Sequence, residues 1–479
     1  MTKVPENLAG GLPESLRGRI LVAGAGVSGR GCATVLLGLG ADLVVADGNA
    51  DSRAALAADL CVATVDTAAV DPAEFSLVVT SPGWAPSSPL LVAAAAAGVE
   101  VIGDVELAYR LDKAELFGPT RTWLAVTGTN GKTTTTGMLA AIMAADEKRS
   151  GKRSQAVGNI GTSPFDALAA SPRVDVLVAE LSSFQLHWSS QLTPEVGVLL
   201  NLADDHLDWH GSFAAYAEAK AKVLKGAHAV IGRDDAHVRE YADKARNAGM
   251  ISADVHAFTH TEPADGEAGV VEGKLVLNNV AGHSVTLIED VTTIEPAGMA
   301  GVLDAGAAAA AAALAGAVPR SITEGLVSYT VAGHRGEVVH SHAGVDYIDN
   351  SKATNPHAAE AAMRGLDSVV WIAGGQLKGA DTSELLETHA THIKVAVIMG
   401  VDKQLLADAI VAHAPGVLTI LIESTDPVAA MDEAVAAAVQ HAESGDTVLL
   451  APAGASLDMY TGMSQRGDCF AAAARRIAR

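Results

Sequence analysis

The chain has 479 residues, a formal net charge of −23, 49% hydrophobic residues and 19% charged residues. That length exceeds one ordinary core, so two to four globular domains are expected. The charge excludes a nucleic-acid backbone as the natural partner, while a local cluster of Lys, Arg and backbone N–H groups still suits a small anion. Three cysteines, Cys32, Cys61 and Cys469, form no C-x-x-C pair, which fits a reducing compartment. The opening MTKVPENLAGGLPES has no apolar core of signal-peptide type. The most apolar stretch, Val302–Val318, is mostly alanine, a strong helix former and weak membrane anchor, and reads as a buried helix. A cytoplasmic protein without membrane insertion is expected.

In chain order, short β-branched runs alternate with Ala-rich, helix-length segments. Ile20–Ala23, Leu43–Ala46, Leu77–Thr80, Trp123–Val126, Val176–Ala179, Val196–Leu200, Val369–Ala373, Val395–Met399, Leu418–Ile422 and Thr447–Ala451 all read as buried parallel strands. This is an α/β pattern, repeated often enough for three sheets. Breaks near Phe117-Gly118-Pro119 and Tyr329–His334 divide the chain into 1–117, 118–330 and 331–479. The polar region His256–Asn279 reads as a small antiparallel excursion.

Two loops have the build of phosphate cradles. Gly24-Ala25-Gly26-Val27-Ser28-Gly29 is a full G-x-G-x-x-G between a strand and a helix, and Asp47 ends the next strand. Such glycines let a phosphate approach a helix N-terminus, and the acid suits a ribose hydroxyl; alone, the motif favours a NAD enzyme or a NAD-binding regulator. The second loop, VTGTNGKTTT (126–135), has valine where the usual nucleotide loop has its first glycine. It nonetheless delivers Gly131, Lys132 and Thr133 to a helix start, with Lys132 able to reach β- and γ-phosphates and the Thr133 hydroxyl able to bind Mg²⁺.

Polar residues recur where strands end. Glu180 in ELSSFQL (180–186) is a candidate Mg²⁺ ligand, and His206 in NLADDHLD (201–208) a candidate for metal or phosphate. Lys220, in YAEAK (216–220), stands on a helical stretch where lysines are ordinarily surface charges. In the last third, His334-Arg335, NSKATNP (350–356), GGQLKGAD (374–381) and APAGASLD (451–458) supply cations and hydroxyls suited to carboxylates or phosphates.

Taken in order, GTNGKTT, GNIG (158–161), ELSSFQL, DDHLD, YAEAK, GHR, NSKATNP, GGQLKGAD and APAGASLD resemble the muramyl ligase family along essentially the whole chain. ELSSFQL with SKATNP is similar to the branch that adds D-glutamate; GTNGKTT alone also fits folylpolyglutamate-type ligases. The resemblance implies a UDP-binding Rossmann-like domain, a central P-loop-type ATPase domain with a mainly parallel sheet, and a Rossmann-like C-terminal domain. It implies an ATP-dependent ligase acting on UDP-N-acetylmuramoyl-L-alanine and D-glutamate through an acyl phosphate, and a monomer is expected. By the same resemblance, ATP lies on Gly128, Thr129, Asn130, Gly131, Lys132, Thr133 and Thr134, with Asp304, Arg335 and Asn350 near the nucleotide. The family usually has Asn at the Asp304 position and Asp at the Asn350 position. Val27, Ser28, Asp47, Ser81 and Gly83 would meet the UDP part, and Asn159 and Ser182 the muramyl substrate. Lys352, Thr354, Lys378, Ser456 and Leu457 would meet D-glutamate. Thr133 and Glu180 would hold one Mg²⁺, and His206 a second, helped by a CO₂-derived carbamate on Lys220.

Overall fold

The computed structural model describes residues 12–251, 255–331 and 333–479, so the opening residues read for a signal peptide lie outside the described residues. Three sheets account for the alternating pattern. The first holds β1 (Arg19–Ala23), β2 (Asp42–Ala46), β3 (Ala63–Val65), β4 (Leu77–Thr80) and β5 (Glu100–Gly103), ordered β3-β2-β1-β4-β5 and wholly parallel. Its helices are α1 (Val27–Gly38), α2 (Ala50–Leu60), α3 (Pro89–Ala96) and α4 (Asp104–Lys113). Strand order reverses between β1 and β4, and ligands of open α/β sheets bind where it does.

The central sheet runs β6 (Thr122–Thr127), β7 (Ser154–Gly158), β8 (Val176–Glu180), β9 (Val196–Leu199), β10 (His228–Gly232), β11 (Val255–Phe258), β12 (Glu267–Val271), β13 (Lys274–Val280) and β14 (His283–Ile288). The order is β14-β13-β12-β11-β10-β9-β6-β8-β7, so β6 is flanked by β8 and β9. The expected antiparallel excursion is β12–β14, and it does not stand apart: β12 pairs in parallel with β11 and extends the central sheet. Helices α5 (Lys132–Ser150), α6 (Pro164–Leu168), α7 (Ser183–His187), α8 (Leu207–His210), α9 (Phe213–Ala221), α10 (Ala236–Asn247), α11 (Met299–Leu314) and α12 (Pro319–Ser328) accompany it. The alanine run of α11 is buried throughout, as a helix hydrophobic on all sides must be. Among the described residues no helix is long and apolar enough to cross a membrane.

The third sheet holds β15 (Glu337–His342), β16 (Val345–Asp349), β17 (Val369–Gly374), β18 (Ile393–Met399), β19 (Leu418–Leu421) and β20 (Thr447–Ala453), ordered β15-β16-β20-β17-β18-β19. Only β15 is antiparallel, and α13 (Pro356–Met363), α14 (Ser383–His389), α15 (Lys403–His413), α16 (Pro427–His441) and α17 (Met463–Ile477) complete the layers. Contrary to the expectation of a buried strand, β19 is a half-exposed sheet edge. The ten expected parallel strands are all present; among the further strands, β3, β5, β7 and β15 are short or half-polar.

By contacts the chain divides into two compact units, residues 1–290 with 303–329, and residues 291–302 with 330–479. Within the first unit, α4 joins the first two sheets into one body. Its Asp112 accepts from Arg121 Nη1 (2.7 Å), the Arg121 backbone (3.0 Å) and Trp123 Nε1 (2.9 Å). Its Glu106 accepts from Arg110 and from the backbone of Gln191 and Leu192. Both carboxylates are fully buried, a placement tolerated only with every charge paired and hydrogen-bonded.

Candidate active site

The chain leaves β6 into 128–131 and enters α5 at Lys132, so the first-turn N–H groups of α5 stand at the end of a central strand. Gly131 caps the helix at φ 79°, and a Cβ there would lie 2.3 Å from Asp304 Oδ1. Only glycine fits both the conformation and the contact. Asp304 is buried and accepts from Thr135 Oγ1 at 2.9 Å, so it braces the loop from behind. Thr129 is braced from α9, its Oγ1 2.9 Å from Tyr216 OH, and Asn130 from the end of β9, its N donating to Asn201 Oδ1 at 2.8 Å. Thr133 is half-buried and Thr134 buried.

Two lysines converge on this loop. Lys132 Nζ donates to the carbonyls of Gly128 (2.9 Å) and Thr129 (2.7 Å), and Lys220 Nζ donates to that of Gly128 (2.7 Å) and to Thr127 Oγ1 (3.3 Å). Lys220 is only 2% exposed, the opposite of a surface charge. Burial first, and the neighbouring Lys132 charge second, push its ammonium well below the ordinary lysine range.

Glu180 ends β8 beside the loop and is 1% exposed. Its Oε1 accepts from Asn159 Nδ2 at 2.7 Å, while its buried Oε2 has no hydrogen-bond partner among the described residues. An orphaned carboxylate oxygen at the end of the strand beside β6, whose loop leads to Thr133, fits a hard divalent cation that keeps waters and takes substrate phosphates as ligands. Among the described residues no three His, Cys, Asp or Glu side chains cluster as an all-protein metal cage. His206 caps α8 at φ 52°, with Asp205 3.6 Å from its Nε2 and the Phe184 ring against its own (centroids 4.7 Å apart). Ser182, read as a substrate contact, caps α7 in a reciprocal box with Gln185.

In the first sheet the glycine loop leaves β1 at the point of strand reversal. A Cβ on Gly29 would fall 1.7 Å from Gly24 O, so the third glycine of the motif is sterically required. Asp47 accepts from Ala25 N (2.7 Å) and Asn49 N (2.8 Å), holding the loop in shape, a task the ribose reading did not foresee. Val27 is 93% exposed and Ser28 is half-buried. Across the reversal Ser81 Oγ is buried with no hydrogen-bond partner among the described residues, where a Cβ on Gly24 would come within 2.7 Å of it, and Gly83 is exposed.

The second unit holds the remaining predicted residues. Loops after β16, β20 and β17, three adjacent parallel strands, carry Asn350, Lys352 and Thr354; Ser456 and Leu457; and Lys378. Ser456 is buried, Leu457 is 67% exposed, and Lys378 is exposed at φ 54°. Asn350 N donates to Leu450 O at 2.9 Å. Asp349 receives His334 Nδ1 at 2.7 Å and Ser351 N at 2.9 Å, which fixes the chain on either side of Arg335 and Lys352.

Sequence reasoning missed the residue that ties these loops together. Arg466 on α17 donates to Ser351 Oγ (3.0 Å) and Ser351 O (2.8 Å), to Gly454 O (3.1 Å) and to Gly374 O (3.5 Å), so it reaches all three strand ends. It is buried, and burial lowers its pKa to about 10. Helix position gives no hint of this; the only local signal is Gly467, where a Cβ would strike His334 and Asp349.

Three α/β domains, the middle one carrying a Gly-Lys-Thr loop at a helix start, define a nucleotide-binding type of architecture. The chain matches the Mur ligase MurD-like N-terminal domain over residues 18–103, the Mur ligase middle domain over 126–312 and the Mur ligase glutamate ligase domain over 334–454. The chain belongs to the Mur ligase family. It is 55% identical over 476 residues to the UDP-N-acetylmuramoylalanine–D-glutamate ligase of Corynebacterium diphtheriae, covering 99% of this chain and 98% of that protein. The enzyme of the same name from Mycolicibacterium smegmatis is 47% identical, with 95% of this chain and 96% of that one covered. Among solved structures, the UDP-N-acetylmuramate-alanine ligase of Thermotoga maritima shares the fold at a TM-score of 0.54 and 16% identity, covering 96% of this chain and 99% of the other.

Proposed function

We propose that this chain joins D-glutamate to the alanyl carboxylate of UDP-N-acetylmuramoyl-L-alanine, converting ATP to ADP and phosphate, in the cytoplasmic synthesis of peptidoglycan precursors. The observation that carries the reading is the 55% identity, over 99% of the chain, to an enzyme named for this reaction. The free cysteines suit a reducing cytoplasm. The reading takes a monomer.

Residues 1–117, 118–330 and 331–479 are taken as the UDP-substrate, ATP and acceptor domains. The Gly24 loop and Ser81 bind the UDP part with Val27, Ser28, Asp47 and Gly83; Asn159 and Ser182 lie on the muramyl side. ATP phosphates rest on 128–134, with Asp304 behind the loop and Arg335 and Asn350 near the nucleotide. A carboxylate is a poor electrophile at neutral pH, so the alanyl carboxylate first takes the γ-phosphoryl group from ATP. The D-glutamate amine then attacks the acyl carbon, the tetrahedral centre collapses to the amide, and phosphate leaves. Lys132 releases its loop carbonyls to neutralise charge building on the transferred group. Lys352, Thr354, Lys378, Ser456 and Leu457 gather the two D-glutamate carboxylates.

Thr133 and Glu180 would hold one Mg²⁺ and His206 a second; bound Mg²⁺ supplies charge neutralisation at the phosphates. The neutral amine favoured at buried Lys220 is the form that reacts with CO₂, giving a carbamate and a proton, and that carbamate would add oxygen ligands beside His206.

The test is phosphate release with UDP-N-acetylmuramoyl-L-alanine, ATP and a panel of amino acids. D-Glutamate supports release; L-glutamate, L-lysine and diaminopimelate do not. Equal turnover with L-glutamate overturns the reading.

A further inference from the structure

Helix α7 has only five residues, yet it is pinned at both ends. At its start Ser182 and Gln185 form the reciprocal cap, with Gln185 N to Ser182 Oγ at 3.1 Å and Ser182 N to Gln185 Oε1 at 3.0 Å. At its finish the Lys222 ammonium donates to His187 O at 2.6 Å and to Ser189 O at 3.1 Å. A helix this short has no intrinsic stability, so its caps and packing decide where it sits. A cation on the last carbonyls also satisfies orphan acceptors and the helix dipole.

What α7 carries is a ring platform. Phe184 packs against His206 (centroids 4.7 Å), Trp209 (4.5 Å) and His210 (5.7 Å), and His187 meets Trp209 edge-on at 5.2 Å. Ser183 Oγ lies 2.9 Å from His210 Nε2. The platform therefore holds α8 from its N-cap, His206, to its last residue, His210. His206 sits at φ 52°, a conformation that a non-glycine residue keeps only when its surroundings impose it.

We infer that Lys222 is a positioning residue: by clamping the C-terminal end of α7 it sets the Phe184 platform, and the platform sets the His206 ring. Lys222 touches neither the phosphate loop nor Glu180 in the hydrogen bonds it makes, and its action passes through α7. This inference rests on the reading of His206 as a Mg²⁺ ligand for its functional consequence, but not for its structural content.

Two measurements on the full chain separate the two. With ¹⁵N-histidine labelling and no metal present, Lys222→Met moves the His206 ring resonances while those of His283, on the distant β14, stay in place; Lys222→Arg, which keeps a cationic donor, restores them. Unmoved His206 resonances in a folded Lys222→Met protein overturn the inference. In the presence of a non-hydrolysable ATP analogue, Mn²⁺ binding followed by electron paramagnetic resonance weakens about tenfold in Lys222→Met, as for loss of an outer-shell support, and Phe184→Leu weakens it in the same direction. The D-glutamate KM is unchanged in both. His206→Ala run in parallel tests the metal reading by itself: if it leaves Mn²⁺ affinity intact, that reading fails, and the resonance shift still decides the role of Lys222. Mn²⁺ affinity lost in His206→Ala but retained in Lys222→Met contradicts the strut.

Discussion

Lys132 and Lys220 point their ammonium nitrogens at one oxygen, the carbonyl of Gly128, from 2.9 and 2.7 Å. Two like charges sharing a buried acceptor are stable together only if one gives up its proton or an anion joins them. In the proposed function both occur: Lys132 meets phosphate and Lys220 becomes an anion itself.

Lys132 is the simpler case. Lys132→Ala lowers kcat by roughly 10²-fold or more, since the lost charge acts on the transferring phosphoryl group. Steady-state phosphate release at saturating substrates checks this; turnover near the parent value would remove 128–134 as the ATP site.

For Lys220 the prediction joins activity to stability. Its folded pKa lies below the unfolded 10.5, so the unfolded chain binds the extra proton. The penalty is fully present below the folded pKa and fades as pH rises toward 10.5. Lys220→Met, in CO₂-free buffer at neutral pH, should therefore melt higher than the parent, with the gap narrowing at alkaline pH. Lys220→Ala should be nearly inactive and partly rescued by acetate. A lower melting midpoint for the Met variant, together with an active Ala variant, would contradict both halves.

Much of this was legible beforehand. The ten strand runs, the two strand-to-helix glycine loops and the strand-end position of Glu180 follow from local patterns, because apolar runs and Gly-Lys-Thr sequences carry their physics within a few residues. What could not be read was long-range. Lys220 looks like any helix lysine until α9 folds its side chain under Gly128. The loop-holding bond from Ala25 N to Asp47 joins residues on different elements and carries no local signal. Arg466 is separated by more than a hundred residues from Ser351, the loop residue it holds most closely.

Arg466 yields the next expectation. Arg466→Lys keeps a charge but cannot reach three loops with one planar fork. Its D-glutamate KM should rise at least as much as kcat falls, while the KM for the UDP substrate stays put. A parallel rise in both substrate KM values would mean that Arg466 only stabilises the unit.

The joint between the first two sheets makes a stability claim. Asp112→Ala leaves the Arg121 charge buried without its carboxylate, a loss of about 3–5 kcal/mol for a broken buried pair. Denaturant unfolding of the variant measures it, and a change under about 1 kcal/mol, typical of exposed pairs, would show that the pair is not closed to solvent.

The central claim is that ATP activates the alanyl carboxylate for attack by D-glutamate. Synthesis of UDP-N-acetylmuramoyl-L-alanine with oxygen-18 in that carboxylate, followed by one round of reaction, reads it directly. Phosphate released with D-glutamate present should carry one labelled oxygen, because the carboxylate oxygen that took the phosphoryl group leaves with it. Unlabelled phosphate, or labelled phosphate formed equally well with L-glutamate, would contradict the account.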